Sequence, residues 1–462
     1  MGSPGLDAAV AKMHEAGVDD VAIRVFAHYY RQLERGETGF IPEETIEPVE
    51  IPSIQGADVH AELAEDALKK TVVIKLNGGL GTSMGMDRAK SLLCVRRGMS
   101  FLDIIARQVL HLREKYDATL PVLFMNSFRT SGDTVDALSR YGDLQVEGLP
   151  LEFLQSREPR LLLDGLVPVS WPKDPELEWC PPGHGDIYPA LRRSGLLDQL
   201  IESGFEYAFV SNSDNLGAVP DPEIAGWFAG TGAAFAIEAV RRTPSDRKGG
   251  HFAQRKADGR LILRETAQTL PEDRKALENL DRHRFCSTNN IWFDLRRMRD
   301  MLDRRDGVLG LPLIRNEKNV VAGDSSTPKV VQIETAMGAA IEVFDDAQLI
   351  EVGRDRFVPV KTTNDLLVLR SDVYEIGPGF VLEQVAADVP YVDLDSEYYG
   401  VIDEFDKRFP DGAPSMRKAS SLRISGDWTF GQGVEIIGNV SLEAPRAQRV
   451  PAATVLNDDS GS

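Results

Sequence analysis

The sequence predicts an α/β protein built on a mostly parallel sheet covered on both faces, and three observations carry that reading. Apolar, β-branched or aromatic runs at residues 71–76, 121–126, 207–211 and 233–240 lack polar alternation, as strands buried on both sides do. Stretches with helical spacing separate several of them, the arrangement that builds parallel sheets. The first run feeds a loop holding Gly78, Gly79, Gly81 and Gly85 and closing on Lys90-Ser91. Glycines let backbone N–H groups approach phosphate oxygens, and a nearby lysine adds charge, so the loop reads as a nucleotide-phosphate site.

Composition narrows the field. A chain of 462 residues is expected to form two or three domains. The formal net charge of -20, from 52 Lys+Arg against 72 Asp+Glu, repels a polyphosphate backbone and argues against nucleic-acid partners. Cys94, Cys180 and Cys286 are far apart, with neither metal-ligand spacing nor a disulfide pattern, which fits a reducing compartment. The N-terminus lacks a basic region followed by an apolar core, and no apolar run is long enough for a membrane span. The expectation is a soluble cytoplasmic protein without membrane association.

In chain order, residues 7–36 read as helical, with Ala8, Val10, Met13, Val18, Val21, Ile23, Phe26 and Tyr30 on a partly buried face. Residues 41–56 are punctuated by proline and read as an extended strap or a plain linker. Strand 71–76 opens the main domain, and residues 91–95 form a candidate short strand turned by Arg96-Arg97-Gly98. Ser100 with Asp103 is a capping-box start for a helix over 101–116. Strand 121–126, a helix near 133–141 and strand 151–155 follow. Asp258-Gly259 between residues 251–254 and 261–264 signals a hairpin, an antiparallel insert that decorates the sheet. Beyond about residue 370 the alternation fades, and the short pieces 424–431 and 434–440, with glycines at their corners, suit a few coils of a β-solenoid. The last dozen residues read as disordered.

Several constellations carry chemistry. The glycine loop fails the Walker A pattern, because Ala89 precedes Lys90-Ser91, and fails the dinucleotide fingerprint, because Gly79, Gly81 and Gly85 are wrongly spaced. A nucleotidyltransferase loop wrapping a nucleoside triphosphate remains, with a tight structural turn as the bland alternative. Ser211-Asn212-Ser213-Asp214-Asn215 ends a buried strand, where Asp214 is a candidate Mg²⁺ ligand or an Asx-turn former. Gly183 and His184, in a proline- and glycine-rich loop, can bring donors to a phosphate or base. Lys361 follows an apolar run and reads as a lysine emerging from a strand end. Thr288-Asn289-Asn290 offers amides to sugar hydroxyls or turns the chain before a strand. Glu334 reads equally as a sugar-binding carboxylate or a helix N-terminal charge.

Together these segments resemble the eukaryotic-type UDP-glucose pyrophosphorylases (UTP–glucose-1-phosphate uridylyltransferases). The resemblance rests on Lys75-Leu76-Asn77-Gly78-Gly79-Leu80-Gly81-Thr82-Ser83-Met84-Gly85, and on Met125-Asn126-Ser127-Phe128 and Gln155-Ser156-Arg157. Residues 181–186, 211–217, Thr288-Asn289-Asn290 and Lys361-Thr362-Thr363 match further motifs in order, so it spans roughly residues 10 to 440. It implies a Rossmann-like, GT-A-like nucleotidyltransferase mixed sheet with a C-terminal left-handed β-helix. The implied division is an N-terminal helical region and strap (1–60), a central nucleotidyltransferase domain (61–370), and a β-helix domain with a disordered tail (371–462).

The same resemblance places Leu76, Asn77, Gly78, Gly79, Met125 and Gln155 on UTP, with Gly183 near the uracil. It assigns Lys90 and Lys361 to the phosphates as catalytic cations and Asp214 to Mg²⁺. His184, Asn212 and Asn289 or Asn290 would address glucose 1-phosphate, and Glu334, on its own reading as a sugar-binding carboxylate, is a further candidate there. Met86-Asp87-Arg88-Ala89 replaces the family's usual Cys-Lys-Gly-Pro, with Arg88 a substitute for the missing lysine. Cys180 stands where an aromatic is common, and Ser287 where asparagine often is. The tail reads as shortened after Val440, and a homo-oligomer through the C-terminal domain is an open expectation.

The implied reaction transfers UMP from UTP to glucose 1-phosphate, giving UDP-glucose and pyrophosphate. The alternatives are a UDP-N-acetylglucosamine or broad-specificity UDP-sugar pyrophosphorylase, a non-catalytic nucleotide sensor and, more distantly, an NAD-dependent oxidoreductase.

Overall fold

A seven-stranded mixed sheet organises the molecule, a computed structural model that describes residues 3–57 and 60–458. Its strands lie in the order Gln348–Glu351, Phe235–Arg241, Phe285–Asp294, Tyr207–Asn212, Thr71–Leu76, Val122–Asn126 and Glu152–Leu154. Phe285–Asp294 runs antiparallel to both neighbours, and every other pairing is parallel. Alternate residues serve opposite faces: Val73, Phe124, Phe209 and Trp292 pack into one core, while Val72, Ile74, Leu123, Ile291 and Phe293 pack into another. Both faces are covered, which is why these strands are largely apolar, with a few polar residues such as Lys75, Glu238 and Asn290 buried among them.

Helix Phe101–Tyr116 covers one face and starts as expected. The Ser100 N–H donates to Asp103 Oδ2 at 2.8 Å, and the Asp103 N–H donates to Ser100 Oγ at 3.2 Å. Helices Ala61–Lys69 and Pro222–Thr231 pack closely because Gly226 leaves room; a Cβ there would stand 2.9 Å from the Ala64 Cα.

Several expectations are corrected. The stretch 7–36 is two helices, Pro4–Glu15 and Asp20–Glu34, separated at Gly17 in the left-handed region (φ +69°) and restarted by Asp19, whose carboxylate accepts the Val21 N–H. Residues 90–96 split into a 3-10 turn, Lys90–Leu92, and a short strand, Cys94–Arg96, paired with Met99–Ser100. Thr288, Asn289 and Asn290 lie inside the antiparallel strand rather than before it.

The strap pairs Ile46–Glu47 with His251–Arg255, the first arm of the expected hairpin, whose second arm is Leu261–Arg264. A second small sheet, formed by Ile314–Asn319, Lys329–Glu334 and Leu161–Leu162, is absent from the sequence reading.

The C-terminal region stacks parallel rungs. Ser415 pairs with Glu435 and Glu435 with Val455, while Trp428–Phe430 pairs with Gln448–Val450. Met416, Leu422, Ile424, Phe430, Ile436, Val440 and Leu442 fill the interior. The expectation of disorder over the last dozen residues fails at Val455–Leu456, which form a rung with Leu456 buried. Only residues 459–462 of that stretch lie outside the described residues.

Candidate active site

The parallel strands Thr71–Leu76, Val122–Asn126, Glu152–Leu154 and Tyr207–Asn212 share one C-terminal edge, the edge where open α/β sheets hold ligands. Leu76, Gln155 and Asn212 stand there, and Gly78 lies so close to Gln155 that a Cβ would meet its Nε2 at 2.7 Å. Gly79 faces open space. The loop closes on itself, with the Lys90 N–H on the Gly79 carbonyl at 3.2 Å and a bridge between Leu80 and Ala89. It then enters a 3-10 turn and a short hairpin, unlike the helix that a dinucleotide loop opens at once.

Lys90 reaches across this edge. Its ammonium sits 2.6 Å from Asp214 Oδ2 and also donates to the Val360 carbonyl. Three segments far apart in sequence therefore meet at one point: the glycine loop, the turn after Tyr207–Asn212, and the residue before Lys361. Lys361 is exposed and stands at the start of helix Thr363–Arg370 rather than at a strand end, a correction of the sequence reading. Its N–H donates to Asp365 Oδ2 at 2.7 Å, and Asp365 also closes the capping box of that helix.

Other expected residues are committed inside the protein. Asn77 is buried, and its amide donates to Asn126 Oδ1 at 2.7 Å and Thr134 Oγ1 at 2.8 Å. Met125 packs its side chain in the core and gives its carbonyl to the Asn77 N–H at 2.8 Å. These two shape the loop from beneath. Asn290 is fully buried, donating to Glu238 Oε2 at 2.9 Å, whereas its neighbour Asn289 is partly exposed at a bulge with φ +58°. Asparagine tolerates that left-handed conformation better than most residues.

His184 and Gly183 form a second wall. Gly183 has φ +80°, and a Cβ there would lie 2.5 Å from the Thr335 carbonyl oxygen, so only glycine fits without strain. The Met337 N–H donates to His184 Nδ1 at 2.9 Å. Burial depresses the imidazole to a pKa of about 4, so the ring is neutral near pH 7. With Nδ1 accepting, the proton resides on Nε2, which makes His184 an uncharged donor. Glu334 ends strand Lys329–Glu334, where the Asn316 amide donates to its Oε1 at 3.0 Å; it is not at a helix N-terminus.

The sequence reading missed a set of buried carboxyls under this wall. Asp186 accepts the Ser156 N–H at 2.5 Å, and burial raises its pKa to about 6. Burial, followed by the charges of Asp186 and Glu334, pushes Glu158 well above the carboxylate range. Lys75, fully enclosed, donates to Ser211 Oγ at 2.7 Å and the Ala218 carbonyl at 2.8 Å; burial first, then Arg356, lowers it to about 7. An ionisable residue within an otherwise apolar strand was the available signal, because such a group must find partners.

Comparison with known proteins places the chain in a family. The family model described as UTP–glucose-1-phosphate uridylyltransferase matches residues 23–436. The UTP–glucose-1-phosphate uridylyltransferase of Hordeum vulgare is 36% identical, covering 98% of this chain and 95% of its own. A UDP-glucose phosphorylase from Trypanosoma brucei superposes with a TM-score of 0.93 at 41% identity, covering 99% of both chains. A mutant UDP-glucose pyrophosphorylase from Leishmania major, crystallised in complex with UDP-glucose, superposes with a TM-score of 0.94 at 40% identity over 100% of both. On the family match across most of its length and these near-complete alignments, the chain belongs to the UTP–glucose-1-phosphate uridylyltransferase family.

Proposed function

We propose that the chain transfers UMP from UTP to glucose 1-phosphate, releasing pyrophosphate, at the strand edge between the glycine loop and the His184 wall. The carrying observation is the meeting of Lys90, Asp214 and the segment leading to Lys361 at one point beside open glycine backbone.

The backbone of Leu76, Gly78 and Gly79 and the amide of Gln155 receive the nucleotide, with Gly183 beside the base. Asn212, Asn289 and the Nε2–H of His184 address the sugar phosphate, and Glu334 lines the same wall. A phosphate oxygen of glucose 1-phosphate attacks the α-phosphorus of UTP in line, and pyrophosphate leaves. The attacking group is already an anion near pH 7, so no general base is needed. The protein's task is positioning and charge neutralisation. Lys90, held by Asp214 in the free protein, turns to the phosphates when they arrive, and exposed Lys361 meets them from the opposite segment.

Among the described residues no group of three or more His, Cys, Asp or Glu is placed to hold a metal, and Asp214 is the carboxylate that meets Lys90 at the site. That carboxylate suits Mg²⁺ arriving on the triphosphate, since that ion takes one or two carboxylates plus phosphates and keeps waters. Asp214 would hold it, and when bound it supplies further neutralisation of phosphate charge.

The division into regions 1–60, 61–370 and 371–462, a left hand for the C-terminal coil, a cytoplasmic setting and assembly through that coil complete the reading. Repeated parallel pairings, interrupted by two register shifts, support the coil. None of the helices described is long and apolar enough to cross a membrane.

Lys90→Ala and Lys361→Ala test the assignment. Each removes one cation from the transition state and is expected to lower kcat by about a hundredfold, about 3 kcal/mol, measured as pyrophosphate release. Unchanged rates in both would remove the two lysines from the chemistry. A parallel panel of glucose, galactose and N-acetylglucosamine 1-phosphates identifies the acceptor.

A further inference from the structure

Glu238 lies inside the sheet core, Arg356 reaches it from the 3-10 turn Arg354–Arg356, and neither enters the roles above. Glu238 stands mid-strand in Phe235–Arg241 with no exposed surface. A carboxylate in that position is tolerable only when paired and fully hydrogen-bonded. Arg356 meets it through two parallel bonds, Nε to Oε2 and Nη2 to Oε1, both 2.7 Å. Asn290 donates to Oε2 at 2.9 Å, and the Trp292 indole donates to Oε1 at 3.0 Å.

The pair also reaches the site. Arg356 Nη1 donates to the Val219 carbonyl at 3.0 Å, and the Arg356 carbonyl accepts from Asn215 Nδ2 at 3.0 Å and Asn290 Nδ2 at 3.3 Å. Further along the segment, the Val358 N–H donates to Asn215 Oδ1 at 2.9 Å and the Val360 N–H to the Asp214 carbonyl at 3.2 Å. Gly217 permits this approach: a Cβ there would lie 2.2 Å from the Asp355 carbonyl oxygen. The irregular stretch from Arg356 to Lys361 is thus pinned at its start by the ion pair and along its length by the Asp214-Asn215 turn.

We propose that Glu238 and Arg356 are a positioning pair for uridylyl transfer, setting the distance between the Asp214 turn that holds Lys90 and the segment that carries Lys361. The proposal rests on the functional reading above. The two cations come from segments with no shared secondary structure, so their spacing needs a rigid tie, and a misplacement of about 1 Å can cost about a hundredfold in rate. A lysine at position 356 would keep the charge but lose the planar fork that fixes direction.

Removing Arg356 alone would strand a buried carboxylate, so three variants are compared: Arg356→Lys, the neutral double variant Glu238→Gln/Arg356→Met, and Gly217→Ala, which pushes the segment outward without touching a charge. Thermal midpoint, UTP affinity by calorimetry and kcat for pyrophosphate release are measured on each. The proposal expects UTP affinity within about threefold of wild type and kcat lowered about a hundredfold in the double variant and in Gly217→Ala. Arg356→Lys should recover the thermal midpoint more fully than kcat.

Folded variants with kcat within about threefold of wild type would overturn it, as would Arg356→Lys restoring kcat and stability together; these bounds lie far inside the expected hundredfold loss. If wild type itself released no pyrophosphate, the functional reading would fail instead, so the two failures are distinguishable.

Discussion

Asp186 carries a testable electrostatic signature. Its carboxyl is buried, and its pKa is raised to about 6 from an ordinary 3.8. The folded state therefore holds a proton that the unfolded state has released between those values, and the stability this group contributes falls as pH rises from about 4 to about 6. Asp186→Asn removes that dependence while keeping an oxygen for the Ser156 N–H. Thermal unfolding at pH 4.5 and 7.5 should show the variant gaining on wild type at the higher pH; a constant difference would mean the carboxyl titrates normally. His184, depressed to about 4, contributes in the opposite sense but equally in both proteins, so it cancels. At this scale the sequence pointed to Lys90 because it closes the glycine loop, to His184 because glycines flank it, and to Asp214 because it follows a buried strand. It did not separate buried Asn77 from open Gly79 or buried Asn290 from half-exposed Asn289, because which of them is enclosed depends on the loop path and on the bulge at Asn289.

Among elements, the glycine loop offers a contrast between neighbours. An added Cβ at Gly79 meets nothing within 4 Å in the free protein. Gly79→Ala should leave the thermal midpoint unchanged and raise KM for UTP about tenfold, a cost of about 1.4 kcal/mol from one displaced backbone–phosphate contact. An unchanged KM would move the nucleotide elsewhere. Strand Thr71–Leu76 and helix Phe101–Tyr116 were legible to the residue, because a run that is apolar but for Thr71 and Lys75, and a capping box, mark them locally. The direction of Phe285–Asp294 was not. Its apolar half, Ile291-Trp292-Phe293, would be buried whichever way the strand ran, and only its neighbours distinguish the two. The break between the two N-terminal helices was visible in Gly17 and Asp19, although the helical spacing continues across it.

For the whole molecule, the strap ties the N-terminal helices to the inserted hairpin through Glu43. Its carboxylate meets Arg264 and Arg282 at 2.6 Å and His283 at 2.9 Å, and the Arg264 side chain is fully buried. Glu43→Ala strands that guanidinium and is expected to cost about 3 kcal/mol, seen as a lowered thermal midpoint with kcat preserved. An unaltered midpoint would mean that Ile41 and His251, its other partners, suffice. The α/β class was legible from alternation, and spaced glycines marked the change to short strands in the C-terminal region. The small sheet carrying Glu334 was not, since its strands come from distant, partly polar segments.

The central claim is that these segments assemble one uridylyl-transfer site, and the formation of UDP-glucose by the purified full chain tests it most directly. UTP, glucose 1-phosphate and Mg²⁺ are supplied, and both products are quantified by mass spectrometry and a pyrophosphate assay. The account predicts UDP-glucose and pyrophosphate in equal amounts, with the reverse reaction when pyrophosphate and UDP-glucose are supplied instead. Binding of UTP with no pyrophosphate released, whichever hexose 1-phosphate is offered, would contradict it.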